Sequence, residues 1–275
     1  MIAWGPYRTR LRSADVEGAS GGQPIPVDVY EPADGAAIPV IAFSHGAGAL
    51  RGQYGPVAAY WASHGFTCVV PLHFDSLDRL LPELGLRLER PAGVLGDRRV
   101  TARLGAAATA DAFVAREREF STVLRAVPDL VRNAPHAVGL AGHSAGAWCA
   151  QAAAEARTPV VAFSGPGPGV AGLTSVSWAR LDGPLLVVTG DEDPGPQGQP
   201  TSWRHAAFHL SPPGDKYLMT VPRTGHGVGG LAVGGPRDVS ALGLVLDVTR
   251  QFWEAHLLGR PLARKRLRTQ VTDCR

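Results

Sequence analysis

The sequence predicts an α/β fold in which a mostly parallel central sheet is covered by helices on both faces. Short apolar runs rich in β-branched residues alternate along the chain with stretches of helix length. Such alternation is typical of parallel sheets, because each crossover between parallel strands is usually made by a helix that covers the sheet. From residue 40 onward the runs are nearly continuous in apolar residues, which indicates strands that are buried on both faces.

Seven runs have the length and composition of strands, and four segments between them have the length of helices. The predicted strands are Val27 to Tyr30, Val40 to Ser44, Thr67 to Leu72, Ala137 to Ala141, Pro159 to Ser164, Leu185 to Thr189 and Tyr217 to Val221. The predicted helices are Gln53 to His64, Ala110 to Arg132, Ser144 to Arg157 and Val239 to Leu258. Residues Tyr7 to Tyr30 indicate two strands around the polar turn G-A-S-G-G-Q, and hence an antiparallel N-terminal ribbon.

The domain organisation follows from the chain length and from one long connection. A length of 275 residues fits one large domain or two small ones, and we predict a single domain over residues 1–275. The connection over residues 75–109 is longer than most and carries several glycines and arginines. A connection of this length is often a lid or a binding loop, and a packed irregular excursion is the alternative.

The composition argues against several classes of function. With 27 basic and 24 acidic residues spread along the chain, the formal charge of +3 gives little electrostatic reason to expect nucleic acid or a membrane surface as a partner. No apolar run approaches the roughly 18 to 20 residues of a membrane span, and the N-terminus lacks the apolar region of a signal peptide, so we expect a cytoplasmic protein. The three cysteines, at positions 68, 149 and 274, indicate neither a disulfide framework nor a structural zinc site.

The segment G-H-S-A-G at residues 142–146 is the strongest chemical signal in the chain. It lies directly after a predicted strand and directly before the Ala-rich helix W-C-A-Q-A-A-A-E-A. A sharp turn at such a junction lifts the central serine above the sheet, and the flanking glycines remove side chains that would clash. The N-terminus of the helix also favours negative charge that develops nearby. We therefore predict that Ser144 is a nucleophile, and a tight structural turn is the alternative.

A nucleophilic serine needs donors for the oxyanion of its intermediate, and the segment S-H-G-A-G at residues 44–48 is the first candidate. It follows the apolar run V-I-A-F, and its glycines allow the backbone to bend toward the site. We predict that the two donors are the backbone N–H groups of Ala47 and of Ala145, the residue after the nucleophile. A plain glycine turn is the alternative, and His45 is predicted to hold this loop by hydrogen bonds.

A base and an acid are needed as well, because serine is a weak nucleophile at neutral pH. Both are expected in loops that follow later strands, since sites form at the carboxyl edge of an α/β sheet. His226 lies in the glycine-flanked segment T-G-H-G after the last predicted strand and is the predicted base. The segment G-D-E-D-P after the preceding strand offers Asp191, Glu192 and Asp193, of which only one can point at the histidine.

These motifs resemble those of the α/β-hydrolase superfamily. Within it they are similar to serine esterases of the platelet-activating-factor acetylhydrolase, polyester hydrolase and dienelactone-hydrolase-like group. The resemblance covers residues 27 to 258 and is carried by F-S-H-G-A-G, G-H-S-A-G, V-V-T-G-D-E-D-P, T-G-H-G and Q-F-W-E-A-H-L-L-G. The family's acid usually falls as G-x-x-D after its strand, so the resemblance selects Asp193. True dienelactone hydrolases carry a cysteine where this chain has Ser144, so that substrate is not implied.

The resemblance implies an α/β-hydrolase fold and a serine hydrolase that cleaves small-molecule or polymeric carboxylic esters through an acyl-enzyme. An acyltransferase or a thioesterase would use the same three residues, and an inactive binding protein on this fold is the alternative from another class. No metal or organic cofactor is expected, since no phosphate-cradling or dinucleotide motif is present. His205 and His209 have the spacing of a metal pair, but without an acidic motif around them they indicate an exposed helical face.

Overall fold

A nine-stranded sheet forms the centre of the protein, in strand order β1-β2-β4-β3-β5-β6-β7-β8-β9. The computed structural model describes residues 2–18, 22–33, 39–87, 94, 96–132, 135–233, 235 and 237–275. The strands are β1 (Thr9–Val16), β2 (Ile25–Pro32), β3 (Pro39–Ser44), β4 (Thr67–Pro71), β5 (Ala137–His143), β6 (Val160–Phe163), β7 (Leu185–Gly190), β8 (Lys216–Val221) and β9 (Asp273–Cys274).

Eight α-helices lie within the described residues. They are α1 (Gly55–Ser63), α2 (Leu77–Glu83), α3 (Arg98–Ala106), α4 (Ala110–Leu130), α5 (Ala145–Ala152), α6 (Ala206–Leu210), α7 (Val239–His256) and α8 (Pro261–Gln270). A 3₁₀ helix, Thr201–His205, leads directly into α6. In the part of the chain that the structure describes, no helix combines the length and the apolar character needed to cross a membrane.

The six central strands, β3 to β8, are parallel to one another. The strands at both edges are antiparallel to their neighbours. At the N-terminal edge, β1 and β2 form the predicted antiparallel ribbon, with Thr9 opposite Pro32 and Val16 opposite Ile25. Residues 19–21 of the predicted turn lie outside the described residues. The short strand β9, which the sequence did not predict, closes the other edge by pairing with β8.

Successive residues of β3, β6 and β7 enter separate cores on opposite faces of the sheet. In β3, Ile41 and Phe43 belong to one core and Ala42 belongs to the other, and β6 and β7 alternate in the same way. Successive side chains of a strand point to opposite faces, so a strand that is apolar at every position has to be covered on both sides. This is the physical reason why the continuous apolar runs predicted the layered fold.

Helices cover both cores, which confirms the predicted fold class. On the first face, Trp61 of α1 donates its indole N–H to Thr249 of α7 at 3.1 Å and packs edge-on against Trp253, with ring centroids 5.8 Å apart. On the second face, Phe120 of α4 and Ala150 of α5 are fully buried in the other core. The sheet is therefore enclosed between two helical layers, and the site has to form at an edge of the sheet.

One predicted helix is shorter than the sequence indicated. The Ala-rich segment predicted a helix from residue 144 to 157, but α5 ends at Ala152. Arg180 donates to the carbonyl oxygen of Ala152 at 2.8 Å, and Arg157 has a left-handed φ of 65° just before β6 begins. The chain must return to β6 beside β5, and this tertiary requirement overrides the helix propensity of the alanines.

The long connection after β4 contains two helices that the sequence did not predict, α2 and α3. They pack through a small apolar cluster formed by Leu77, Leu81, Val94 and Val100. Residues 88–93 and 95 of this connection lie outside the described residues. That the connection acts as a lid therefore stays a prediction, as does the single-domain organisation of the chain.

Replacing Gly142 by Ala is expected to destabilise the fold by about 3 kcal/mol or more, because the added methyl group overpacks a backbone contact. A Cβ atom there would lie 2.1 Å from the carbonyl oxygen of Gly146, a backbone atom that cannot rotate away. Urea unfolding followed by tryptophan fluorescence measures the change. The matched control is Gly105→Ala in α3, where a Cβ meets nothing within 4 Å. The control should be neutral or stabilising by up to about 1 kcal/mol, and wild-type stability of Gly142→Ala would contradict the expectation.

Candidate active site

Ser144 lies at the sharp turn between β5 and α5, with φ 56° and ψ −122°. A positive φ is costly for a residue with a side chain, so the surrounding contacts must hold this conformation. The Ser144 N–H donates to the carbonyl oxygen of Phe163 at 2.9 Å, and the Ser144 carbonyl oxygen accepts from Ala147 at 3.0 Å. The turn is thus fixed from the strand side and from the helix side, as the G-x-S-x-G pattern predicted.

His226 and Asp193 meet across two loops that follow β8 and β7. Nδ1 of His226 lies 3.1 Å from Oδ1 and 3.3 Å from Oδ2 of Asp193. Because a carboxylate only accepts, the Nδ1 atom of His226 carries the proton of this hydrogen bond. Burial alone would raise the pKa of Asp193, but the hydrogen bond and charge of His226, together with the charge of Arg204, outweigh burial and hold this pKa below its usual value.

Asp193 is the acidic residue of this loop whose carboxylate contacts His226 among the described residues. Asp191 is exposed, and its Oδ1 accepts the backbone N–H of Thr224 at 3.3 Å. Glu192 is also exposed and reaches the rim of the neighbouring pocket. Of the three carboxylates between which the sequence left the choice open, the one in contact with His226 is Asp193, which is only 1% exposed.

The five predicted site residues all line one pocket of about 730 Å³. They come from the loops after four parallel strands, β3, β5, β7 and β8, whose carboxyl ends meet at one edge of the sheet. Ser144, Asp193, His226, Ala47 and Ala145 thus share one space. A pocket of this size is in the usual range for a small-molecule site.

The wall of this pocket is mainly apolar. Its apolar members come from the loop before α4, from the start of α4, from the loop after β6 and from the 3₁₀ helix. They include Ala107, Ala108, Phe113, Pro166, Val170, Ala171 and Trp203. The indole N–H of Trp203 donates to the carbonyl oxygen of Pro168 at 2.8 Å, which fixes its ring in the wall.

The backbone N–H groups of Ala47 and Ala145 are available to a ligand. Within the ranges that the structure describes, neither group donates to a protein acceptor. Ala145 is the first residue of α5, where the helix dipole favours negative charge. Ala47, Ala145 and Ser144 line the same pocket, so both N–H groups and the N-terminus of α5 lie at the pocket that contains the candidate nucleophile.

A chain of three hydrogen bonds connects the loop of Ala47 to the loop of His226. The N–H of Gly46 donates to the Tyr54 hydroxyl at 3.3 Å, this hydroxyl donates to Nδ1 of His143 at 2.8 Å, and Nε2 of His143 donates to the carbonyl oxygen of His226 at 2.8 Å. The direction of each bond is determined because the last acceptor is a carbonyl. Burial lowers the pKa of His143 to about 3 and raises that of Tyr54 to about 12, so both are neutral.

A second polar network lies beneath residues 44–48 and holds this loop from below. Arg116 of α4 pairs with Asp75 and donates to the carbonyl oxygen of His45, and all three residues are buried. The N–H of Gly48 donates to the carbonyl oxygen of Asp75 at 3.0 Å. Nε2 of His45 accepts the N–H of His73 at 2.9 Å, so His45 makes hydrogen bonds within this loop region, as the sequence predicted.

The same network contains a second set of serine, histidine and carboxylate side chains, in which the histidine contacts both of the others. Ser44 Oγ lies 2.9 Å from Nε2 of His73, and Nδ1 of His73 lies 3.2 Å from a carboxylate oxygen of Glu119. Ser44 and His73 are fully buried, so a substrate cannot reach this hydroxyl. Burial lowers the pKa of His73 well below its usual value, and the neutral ring acts as a brace between β3 and α4.

Arg204 is the site residue that the sequence analysis missed most completely. Its guanidinium is buried behind Asp193, with Nε 2.7 Å from Oδ1 of that carboxylate. No motif surrounds Arg204 in the sequence, and its position in a short 3₁₀ helix gave no signal. His143 was also missed as a participant, although it is the variable residue of the G-x-S-x-G pattern.

His205 and His209 were predicted to lie on an exposed helical face, and this is confirmed for His209 only. His209 is exposed and His205 is half-buried, with ring centroids 6.2 Å apart, and the two lie in successive elements, the 3₁₀ helix and α6. Among the described residues, no group of three or more His, Cys, Asp and Glu side chains is placed to hold a metal ion.

Comparison with solved structures finds a fold neighbour of low sequence identity. A puromycin-hydrolyzing peptidase of Mycobacterium tuberculosis superimposes with a TM-score of 0.64 at 15% identity, over 92% of this chain. The chain spans only 40% of the length of that neighbour. No protein-family model and no curated protein sequence matches the chain. The likeness supports the α/β fold described above.

Wild type is expected to lose more of its free energy of unfolding at acid pH than the variant His143→Gln. The unfolded chain protonates this imidazole near its ordinary value of about 6.5, whereas the fold lowers its pKa to about 3. Between these values the unfolded state binds the extra proton, so stability falls as the pH falls. From about pH 6.5 to about pH 5, wild type should lose about 2 kcal/mol more than His143→Gln, at about 1.36 kcal/mol per pH unit.

Urea unfolding at both pH values measures this difference. The control is His209→Gln, which removes an exposed imidazole and should keep the wild-type pH dependence. Equal losses of stability in wild type and His143→Gln would show that His143 is not held neutral by the fold.

Proposed function

We propose that the protein is a serine hydrolase that cleaves carboxylic esters through an acyl-enzyme intermediate. The observation that carries the proposal is that Ser144, on its strained turn, and the hydrogen-bonded pair of His226 and Asp193 line the same pocket. The name of the fold neighbour, a peptidase, supports hydrolysis in general. The preference for esters rests on the resemblance of the motifs to serine esterases.

In the first half of the reaction, Ser144 Oγ attacks the ester carbonyl carbon and its proton passes to Nε2 of His226. The N–H groups of Ala47 and Ala145 stabilise the oxyanion. They need no reorganisation, because neither donates to an acceptor among the described residues of the protein. Asp193 is ionised and accepts a hydrogen bond from Nδ1–H of His226, so its charge stabilises the imidazolium that forms. The bond to the alcohol oxygen then breaks, and His226 donates its proton to that oxygen.

In the second half, water takes the place of the alcohol. His226 removes a proton from the water, the hydroxide attacks the acyl carbon, and the bond to Ser144 Oγ breaks as the serine recovers its proton. The acid is released and the site returns to its starting state. An acyltransferase or thioesterase would use the same groups with another acceptor or a sulfur ester, so water as the acceptor is part of the proposal.

The pocket indicates the kind of ester that fits. Its mainly apolar wall favours an uncharged apolar acyl or alcohol group, since burying such a group gains roughly 25 cal/mol per Å². Glu192 is an exposed carboxylate at the rim, and it disfavours an anionic group there. We therefore propose neutral esters with at least one bulky apolar group.

Replacing Ser144 by Ala should lower ester turnover by a factor of about 10⁴ or more, because the nucleophile is lost. A chain-length series of chromogenic esters measures the rate, and mass spectrometry after reaction with a fluorophosphonate locates the adduct. We expect the adduct on Ser144 in wild type and none in the variant. The control, Ser202→Ala, changes an exposed serine of the 3₁₀ helix and should keep the wild-type rate. An active Ser144→Ala protein would refute the proposed nucleophile.

The loop after β7, which we call the acid loop, contains Asp191 and Asp193. Replacing each of these aspartates by asparagine tests which one orients His226. Asp193→Asn should lower kcat by about 10⁴, because an amide can hold the ring in the wrong tautomer and cannot stabilise the imidazolium. Asp191→Asn is the matched control, since its carboxylate contacts the N–H of Thr224 and not His226. It should change kcat by less than about threefold, like most exposed substitutions. A larger loss for Asp191 than for Asp193 would reverse the assignment.

A further inference from the structure

Arg204 is a buried arginine that donates to four backbone carbonyl oxygens in two loops. Its Nη1 donates to the carbonyl oxygens of Ser164 at 2.9 Å and Gly165 at 3.4 Å, and its Nη2 donates to that of Pro194 at 3.0 Å. Its Nε donates to the carbonyl oxygen of Asp193 at 3.1 Å. One guanidinium thus connects the loop after β6 to the loop that carries the acid.

The same side chain shares the carboxylate of Asp193 with His226. Oδ1 of Asp193 lies 2.7 Å from Nε of Arg204 and 3.1 Å from Nδ1 of His226. Oδ2 lies 3.3 Å from the Thr189 hydroxyl. Arg204 is 7% and Asp193 1% exposed, so water and salt screen this pair weakly. Within the described part of the chain, Arg204 and His226 are the basic side chains within 4 Å of this carboxylate.

We propose that Arg204 is a positioning residue that holds Asp193 in place and partly neutralises its charge, so that His226 remains an unprotonated base at lower pH than an unshared aspartate would allow. The proposal rests on the function proposed above. It assigns a second, electrostatic task to a residue that lies outside the Ser, His and Asp set.

The physical argument starts from the imidazolium that forms when His226 takes a proton. A lone buried carboxylate would stabilise that cation strongly and would keep the base protonated over a wider acid range. A guanidinium 2.7 Å from the same oxygen opposes this, because a second positive charge is repelled by the imidazolium. The base is then free at lower pH, while the hydrogen bond from Nδ1 still fixes its tautomer.

The other groups that face His226 and Asp193 do not supply a competing charge. His143, whose ring centroid lies 4.7 Å from that of His226, has a pKa lowered by burial to about 3 and is neutral. Thr189 is uncharged, and the carboxylates of Asp191 and Glu192 are exposed to solvent, which screens them. Their charges are the same in every variant below, so a change in pH dependence reports on Arg204.

Arg204 also connects the acid to the wall of the pocket. Its guanidinium lies 5.5 Å from the ring centroid of Trp203, which lines the pocket. A planar guanidinium can stack on the ring while its N–H groups reach the carbonyls of two loops in a fixed fork, and the compact ammonium of lysine does not reproduce this geometry. The geometric task and the charge are therefore separable by substitution: Arg204→Lys keeps the charge, and Arg204→Gln removes it.

The test is the pH profile of kcat/KM for a neutral ester, measured in wild type, Arg204→Gln and Arg204→Lys. In Arg204→Gln the midpoint of the acid limb should move to higher pH by about one unit, because Asp193 now acts on the imidazolium alone. In Arg204→Lys the midpoint should stay within about 0.3 units of wild type, while kcat falls about tenfold and KM changes less than about twofold.

The matched control is Arg275→Gln. Arg275 also donates to backbone carbonyls, those of Phe208 and Ser211, and lies 5.3 Å over the Phe208 ring, but it does not line the pocket. Its loss should leave both the acid limb and kcat unchanged. A bracing role alone would lower kcat in both Arg204 variants without moving the acid limb, and that result overturns the proposal.

Loss of folding in Arg204→Gln does not remove the test. Arg204→Met then replaces it as the uncharged variant, because an unbranched apolar side chain tolerates burial. A shift of its acid limb to higher pH supports the proposal, and an acid limb at the wild-type pH overturns it. A wild-type protein with no ester turnover and no fluorophosphonate adduct at Ser144 refutes the proposed function itself. An active wild type with unchanged Arg204 variants refutes only the role of Arg204.

Discussion

The close contact between the turn after β5 and the loop after β3 is the constraint on which the rest of the site depends. A Cβ atom on Gly146 would lie 2.0 Å from the carbonyl oxygen of Ser44, so only glycine permits this approach. The contact brings the N-terminus of α5, which Ser144 precedes with a positive φ, beside residues 44–48. The nucleophile and both oxyanion donors that we propose all depend on this approach, because each is a backbone or near-backbone group of these two segments.

Buried polar side chains hold the loops around the pocket. Loops at the carboxyl edge of the sheet present carbonyl groups that neither a helix nor a strand satisfies, and each buried one without a donor costs about 1–3 kcal/mol. Arg116, His143 and Arg204 donate to carbonyl groups of the loops that contain Ala47, His226 and Asp193 respectively. The loops are therefore fixed before a ligand arrives, which is the condition for electrostatic stabilisation of an oxyanion without reorganisation.

Local patterns predicted the elements and junctions that carry the candidate site, and they failed where distant parts of the chain decide the outcome. The continuous apolar runs identified the parallel strands because burial on both faces leaves a clear composition signal. The helix from residue 144 was predicted too long, because its end is set by the return to β6 and by Arg180, not by propensity. Tyr54 and His143 escaped prediction, since their contact joins residues 89 positions apart.

By itself, the sequence determined the α/β fold class, the antiparallel ribbon and the loops in which Ser144 and His226 lie, because periodicity and glycine patterns at strand ends are local properties. The G-x-x-D pattern of the resembling family selected Asp193, and the tertiary structure shows that its carboxylate contacts His226. Only the tertiary structure decided that Arg204 shares this carboxylate. Without the resemblance, the residues left Asp191 and Asp193 as equivalent neighbours. Their side chains differ only in direction and burial, which the packing of the 3₁₀ helix against the loops after β6 and β7 imposes.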